Sequence, residues 1–161
     1  MAMEKPEKQL KKLLYGTGLT LCAAESCTGG RISHLITKIP GASNYYLGSV
    51  TSYSPLIKEK LLGVQAEVIE EKGIVSSEVA AAMAEGVRKL TGGTYSVATT
   101  GWADSYGDEH EPAGTCWVAV SGPKGTKTAK LSNHESRISN IKTFASSALE
   151  ILVDYIKLDL T

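Results

Sequence analysis

Residues 19–39 constrain the fold more than any other segment, because they have the pattern of a strand that turns sharply into a helix. Residues 19–23 are β-prone, and the small and polar residues 25–30 follow them directly. Apolar residues then recur at helical spacing up to Ile39. Such a turn presents backbone N–H groups and the positive end of a helix, where anions bind and nucleophiles are often mounted. The alternative is an ordinary helix start, capped by Ser26 or Thr28.

Helix-like and strand-like segments alternate along the 161 residues, a length typical of one domain. The apolar periodicity predicts helices over 5–16, 28–39, 55–62, 76–90 and 136–157. It predicts strands over 19–24, 45–53, 95–100, 115–121 and 126–131, the last two forming a hairpin. This order predicts a single domain, 1–161, built as a three-layer α/β/α sandwich with a mixed, mostly parallel sheet.

Charge and cysteine content exclude several classes of protein. The chain has 17 Lys and Arg against 17 Asp and Glu, so we expect no general nucleic-acid binding. It shows no signal peptide and no long apolar run, which predicts a cytoplasmic protein without membrane contact. Three scattered cysteines match neither a disulfide framework nor a zinc pattern. The acidic residues of 104–111 match no metal-binding template, so we expect no metal site.

Polar residues at strand ends and turns are the candidates for chemistry. Ser26, Tyr53 and Thr100 each lie at the carboxyl end of a predicted strand, and ligands gather beyond the carboxyl ends of parallel strands. We therefore expect Ser26, Ser43, Tyr53 and Lys58 to converge in one pocket at that edge of the sheet.

A serine nucleophile needs a base, and none of the three histidines stands beside a predicted strand-end serine in a Ser–His–Asp pattern. Lysine replaces histidine as the base on some scaffolds. Lys58 would then need its pKa lowered from ~10.4 towards about 7–8 by burial or by nearby positive charge. The alternative is that Lys58 is simply an exposed lysine on a helix.

Several motifs resemble a known family. They are Ala-Glu-Ser-Cys-Thr-Gly-Gly after the first strand, Pro-Gly-Ala-Ser at 40–43, Gly-Ser-Val-Thr-Ser-Tyr-Ser at 48–54 and Gly-Thr-Cys-Trp at 114–117. In this order they are similar to the family of C-terminal domains of the competence/damage-inducible protein CinA. The resemblance extends from about residue 5 to residue 155.

The resemblance implies a nicotinamide mononucleotide deamidase, which releases nicotinic acid mononucleotide and ammonia without a metal or another cofactor. It also implies a dimer or larger homo-oligomer. The implied catalytic residues are Ser26, Ser43, Tyr53 and Lys58, and the implied substrate contacts are Thr28, Gly29, Gly30, Thr100, Gly101 and Arg137. Backbone N–H groups of 26–30 would bind the oxyanion or a phosphate. We favour Ser26 over Ser43 as the nucleophile, and we interpret Cys27 as a packing residue.

The chain departs from the family at two places. Where the family commonly has Thr-Gly-Ile-Ala-Gly-Pro-Gly-Gly, residues 100–107 are Thr-Gly-Trp-Ala-Asp-Ser-Tyr-Gly. Arg137 fits the first of two family arginines, whereas Ile141 stands at the second. A bulky, acidic loop disfavours a phosphate, so we expect poor processing of nicotinamide mononucleotide. The alternatives are hydrolysis of an unphosphorylated or cationic relative and a catalytically silent member that binds a nucleotide or a protein.

Overall fold

The computed structural model describes residues 3–161, in which six helices surround one five-stranded sheet. The helices are α1 (Pro6–Leu14), α2 (Arg31–Thr37), α3 (Pro55–Leu62), α4 (Ala66–Lys72), α5 (Ser77–Thr91) and α6 (Arg137–Asp159). The strands are β1 (Leu21–Glu25), β2 (Tyr46–Thr51), β3 (Tyr95–Gly101), β4 (Thr115–Gly122) and β5 (Gly125–Ser132). A short 3-10 turn, Ala42–Asn44, precedes β2.

The sheet has the strand order β2-β1-β3-β4-β5. Strand β1 runs parallel to both of its neighbours, β2 and β3. Strand β4 runs antiparallel to β3 and to β5, so it is the single reversed strand of the sheet. The predicted mixed, mostly parallel sheet is confirmed. The chain passes from β1 to β2 on one side and then crosses to β3 on the other, which makes the carboxyl ends of β1 and β3 a topological switch point.

Helices cover both faces of the sheet because successive strand side chains point to opposite faces. On one face, α1, α2 and α6 pack against β-strand residues that include Leu21, Ala23 and Val97. On the other face, α3 and α5 pack against mostly small side chains, among them Cys22, Ala24 and Ala98. The predicted three-layer arrangement is confirmed.

The sequence analysis placed the start of one helix wrongly and missed another helix. Helix α2 begins at Arg31 rather than near residue 28, because Gly29 and Gly30 have φ values of +57° and +99°, which are left-handed rather than helical. Helix α4 was not predicted, since none of its residues is fully buried and only Val68 and Ile69 pack against the core. A short, largely exposed helix gives little apolar periodicity.

Gly86 lies where α5 crosses α3, and an added Cβ would stand 2.0 Å from the carbonyl oxygen of Leu62. We expect Gly86→Ala to lower the free energy of unfolding by about 1–3 kcal/mol, because backbone must move to relieve the overlap. Denaturant unfolding measures the loss. The control is Glu85→Ala, an exposed neighbour on the same helix, which should change stability by less than about 0.5 kcal/mol. An equally stable Gly86→Ala variant would contradict this packing.

Candidate active site

A cavity of about 260 Å³ opens at the switch point, beyond the carboxyl ends of β1 and β3. Five segments contribute to its wall: the turn after β1, the segment from β2 into α3, the link between α4 and α5, the loop after β3 and the start of α6. The lining residues are Ser26, Cys27, Tyr53, Pro55, Lys58, Ile74, Val75, Thr100, Gly101, Trp102, Ala103, Asp104, Tyr106 and Arg137. The structure thus brings together Ser26, Tyr53, Lys58, Thr100, Gly101 and Arg137 from the predicted set.

A direct hydrogen-bond contact on the wall of this cavity joins Lys58 to Ser26. The Lys58 Nζ atom lies 2.9 Å from Ser26 Oγ, and both side chains are buried. Lys58 also donates to the carbonyl oxygen of Ser52 at 2.5 Å. The amine therefore has one backbone acceptor that fixes its position and one serine hydroxyl on which it can act.

Helix α3 carries Lys58 into the interior. Its start is fixed by Ser54, whose hydroxyl accepts a hydrogen bond from Ile57 N, and by Pro55 at the first helical position. Lys58 has no exposed surface, so the alternative of an exposed lysine on this helix was wrong. Burial lowers the pKa of Lys58 to about 8, although the nearby Cys27 partly offsets this effect. A fraction of Lys58 is consequently neutral at physiological pH, as a general base must be.

Buried polar side chains hold the turn that carries Ser26. The Glu25 carboxylate accepts hydrogen bonds from the backbone N–H groups of Ile32 and Ser33, at 2.9 and 3.0 Å, and from the Thr28 hydroxyl at 2.6 Å. Thr28 Oγ1 in turn lies 2.9 Å from Thr99 Oγ1 on β3. Glu25 therefore occupies the start of α2, and neither Ser26 nor Thr28 caps it.

This arrangement contradicts the expectation that backbone N–H groups at the start of α2 bind a phosphate. A carboxylate already takes the first N–H groups of the helix, and its negative charge would repel a phosphate. Thr28, Gly29 and Gly30 instead line a separate, open groove together with Arg31, His34, Ile138, Ile141 and Lys142. The predicted contacts of Thr28, Gly29 and Gly30 thus lie outside the cavity that contains Ser26.

Ser43 also lies outside this cavity, contrary to the prediction that it converges with Ser26. It lies on the exposed 3-10 turn before β2, and β2 enters the sheet with Tyr46 opposite Leu21, the first residue of β1. Ser26 follows the last residue of β1. Ser43 therefore lies near the amino ends of these parallel strands and Ser26 near their carboxyl ends. The two serines are separated by about the length of a five-residue strand, roughly 16 Å.

An ionic cluster lies at the mouth of the cavity. Arg137, at the start of α6, donates to the Tyr53 hydroxyl at 3.0 Å and lies 3.3 Å from a carboxylate oxygen of Asp104. The Tyr53 side chain is largely exposed, and its hydroxyl contacts Arg137 rather than the Ser26–Lys58 pair. Tyr53 is thus placed to meet a substrate at the entrance, not to relay a proton between Ser26 and Lys58.

The loop after β3 has a defined conformation over the cavity. The Trp102 ring packs on Tyr106 with centroids 5.8 Å apart. The buried Asn140 side chain on α6 donates to the carbonyl oxygen of Ala103 at 2.9 Å. At the end of β3, Thr100 donates to the carbonyl oxygen of Ile74 at 2.8 Å, so its hydroxyl orients backbone beside the cavity.

The roles of three residues of this site were not predicted from the sequence. They are Glu25 as the buried acceptor, Ser52 as the acceptor for Lys58, and Asn140 as the residue that holds the loop. The signal for Glu25 was its position directly before Ser26, in the turn that ends in Gly29 and Gly30. Ser52 stood in a run of strand-end hydroxyl residues. Asn140 had no local signal, because a polar residue in a helix is usually exposed.

Comparison with known proteins agrees with this description. The model of the CinA C-terminal domain family matches residues 3–156. The chain belongs to this family. A CinA-like protein of Desulfosudis oleivorans is 40% identical over 148 residues, which are 91% of this chain and 36% of that protein. A CinA-like protein of Geotalea uraniireducens is 46% identical over 126 residues, which are 78% of this chain and 30% of that protein. The chain thus spans about a third of the length of these relatives.

Solved structures share the fold over nearly the whole chain. The competence damage-inducible protein A (ComA) of Klebsiella pneumoniae superposes with a TM-score of 0.89 at 27% identity, covering 92% of this chain and 93% of that one. The competence/damage inducible protein CihA of Agrobacterium tumefaciens gives a TM-score of 0.87 at 27% identity, with 96% and 98% covered. The predicted family and fold are therefore confirmed.

Two further findings concern residues 3–161. No helix in this range is sufficiently long and apolar to cross a lipid bilayer. Nor does any group of three or more His, Cys, Asp or Glu side chains in it have an arrangement that could hold a metal ion.

Proposed function

We propose that this chain is an amidohydrolase in which Ser26 attacks a carboxamide carbon and Lys58 transfers the protons. The observation that carries the proposal is the 2.9 Å contact between a buried lysine amine and a serine hydroxyl on the wall of a cavity. A hydroxyl is a weak nucleophile until a base removes its proton, and a desolvated lysine is such a base. The family resemblance supplies the substrate for this proposal, the carboxamide of nicotinamide mononucleotide.

The reaction proceeds in two balanced halves. Neutral Lys58 takes the hydroxyl proton as Ser26 Oγ bonds to the carbonyl carbon, and protonated Lys58 then returns that proton to the departing ammonia. A water molecule, deprotonated by Lys58, next attacks the acyl-serine, and the proton goes back to Ser26. The net change is amide plus water to carboxylic acid plus ammonia.

The tetrahedral oxyanion needs hydrogen-bond donors near Ser26. Among the hydrogen bonds of residues 3–161, none has the backbone N–H of Cys27 or Thr28 as its donor. The residue that follows a nucleophile on a strand-to-helix turn commonly donates its N–H in this way. We assign the oxyanion to the N–H of Cys27, the one of these two residues that lines the cavity.

The paired state of Arg137 favours a second candidate substrate. Besides Lys58, Arg137 is the only cationic side chain on the cavity wall as the structure describes it, and Asp104 already pairs with it. A phosphate would compete with that carboxylate for the guanidinium. The second candidate is therefore the same hydrolysis on an unphosphorylated, cationic nicotinamide derivative, for which nicotinamide riboside is the natural probe.

Ammonia release tests the proposal. Purified protein is incubated separately with nicotinamide mononucleotide and nicotinamide riboside, and ammonia is measured for the wild type and for Ser26→Ala. We expect release from at least one of them with the wild type and none above background with the variant. No release from either substrate would favour a catalytically silent family member that binds a nucleotide or protein.

The pH dependence of turnover should follow the pKa of Lys58. Because the base acts in its unprotonated form, kcat/KM should rise with pH and level off above about 8, the lowered pKa of Lys58. An unperturbed lysine would extend the rise to about 10.4. The measurement is initial rate in overlapping buffers from pH 6 to about 10. A rate that falls between pH 6 and 8 would exclude Lys58 as the base.

A further inference from the structure

Two cysteines lie in contact beneath the candidate nucleophile. The Sγ atoms of Cys27 and Cys116 are 3.7 Å apart, and both residues belong to the core on the α6 side of the sheet. Cys27 directly follows Ser26, and Cys116 lies on β4 opposite Gly101 of β3. The contact therefore links the turn that carries Ser26 to the strand beside the cavity loop. The proposed hydrolysis uses neither thiol.

We propose that Cys27 and Cys116 form an oxidation site, at which hydrogen peroxide produces a disulfide by way of a sulfenic acid on Cys27. This proposal does not depend on the substrate or activity of the cavity. It needs only the two neighbouring thiols and an oxidant that is small enough to enter.

Access to the cavity makes Cys27 the first sulfur to react. Cys27 lines the cavity and is 6% exposed, whereas Cys116 is fully buried. Burial, together with the neighbouring Cys27, raises the pKa of Cys116 well above its ordinary value, so Cys116 remains a thiol.

The oxidation balances in two steps. The Cys27 thiolate attacks one peroxide oxygen and the O–O bond breaks, so Cys27 becomes a sulfenic acid while the other oxygen leaves as hydroxide and is protonated to water. Cys116 sulfur then bonds to Cys27 sulfur, and the sulfenic hydroxyl leaves with the Cys116 proton as a second water. Two thiols have lost two electrons and two protons, and one peroxide has become two waters.

Closing the disulfide should move Ser26. The two sulfurs must approach by about 1.6 Å to reach the bond length of roughly 2.05 Å. Because Cys27 is bonded to Ser26, the hydroxyl that now lies 2.9 Å from Lys58 should be displaced. A misplacement of about 1 Å can cost a hundred-fold in rate. Oxidation should therefore lower any turnover at this site at least ten-fold, and dithiothreitol should restore it.

Mass spectrometry of the intact protein tests the oxidation itself. After treatment with hydrogen peroxide and alkylation of the remaining thiols in denaturant, we expect the wild type to carry one alkyl group. Its mass should be about 2 Da, two hydrogen atoms, below that of a singly alkylated protein without the disulfide. Peptide mapping without reductant should join the peptides of Cys27 and Cys116. Cys22, buried on the opposite face of the sheet, is the internal control and should be the alkylated thiol.

The Cys116→Ser variant separates the two steps. Without its partner thiol, Cys27 should stop at the sulfenic acid, which dimedone traps as an adduct on the Cys27 peptide. Three free thiols in treated wild-type protein, or a link that involves Cys22, would overturn the proposal even if Cys116→Ser did not fold. Loss of turnover upon oxidation concerns the proposed hydrolysis, whereas the mapped disulfide does not. The two proposals can therefore fail independently.

Discussion

Replacing Lys58 by methionine is expected to lower the rate of amide hydrolysis by about 10²–10⁴-fold, the usual contribution of a general base. The variant removes the amine that lies 2.9 Å from Ser26 Oγ and keeps a side chain of similar length in a fully buried position. Methionine is preferable to alanine, because a buried lysine does contribute to packing and alanine would leave a void. Steady-state ammonia release measures the loss.

Stability distinguishes a catalytic loss from misfolding. An amine whose pKa is lowered by burial costs free energy to keep protonated, so Lys58→Met should unfold at the same temperature as the wild type or higher. The matched control is Lys60→Met, which removes an exposed lysine from the same helix and should change neither rate nor stability appreciably. Full activity of Lys58→Met would remove Lys58 from the mechanism.

The second large effect is expected in the loop over the cavity. Replacing residues 102–107 by Ile-Ala-Gly-Pro-Gly-Gly, the sequence common in the family, should raise kcat/KM for nicotinamide mononucleotide by about 5–150-fold. The exchange removes the bulk of Trp102 and the carboxylate that pairs with Arg137, which frees a cation for the phosphate. Such a gain corresponds to about 1–3 kcal/mol, the scale of a charged or unsatisfied polar contact. Ala103 and its bond from Asn140 are kept.

Single substitutions separate the charge from the bulk. Asp104→Asn should give part of the gain with the phosphorylated substrate and none with nicotinamide riboside. Glu109→Gln makes the same charge change at an exposed side chain that lies outside the cavity, so it should alter neither rate. A wild type with rapid turnover of nicotinamide mononucleotide, unchanged by the loop exchange, would show that Asp104 and Trp102 do not restrict the phosphate.

Much of the fold could be predicted from the sequence because strands and helices alternate with distinct periods. Apolar periodicity located five of the six helices and all five strands. The start of α2 could not be predicted, since it depends on the left-handed conformations of Gly29 and Gly30 and on the Glu25 carboxylate reaching Ile32 and Ser33. Those contacts are tertiary, and local patterns do not specify them.

The sequence predicted those residues of the candidate site whose position is set by the carboxyl end of a strand. Ser26, Tyr53 and Thr100 lie at the carboxyl ends of strands that run in the same direction, and the structure places all three around one cavity. Ser43 precedes β2, so it lies near the amino ends of the parallel strands, away from the cavity. The burial of Lys58 was not predictable from its charged neighbours, because it follows from the packing of α3 against α5.

Trapping the acyl-enzyme tests the central claim most directly, namely that Ser26 is the nucleophile and Lys58 its base. Protein is mixed with nicotinamide mononucleotide or nicotinamide riboside and quenched in acid at short times, and the acyl adduct is located by peptide mapping. We expect an acyl ester on Ser26 in the wild type and none in Ser26→Ala or Lys58→Met. An adduct on Cys27 or Ser43, or ammonia release that persists in Ser26→Ala, would contradict the claim.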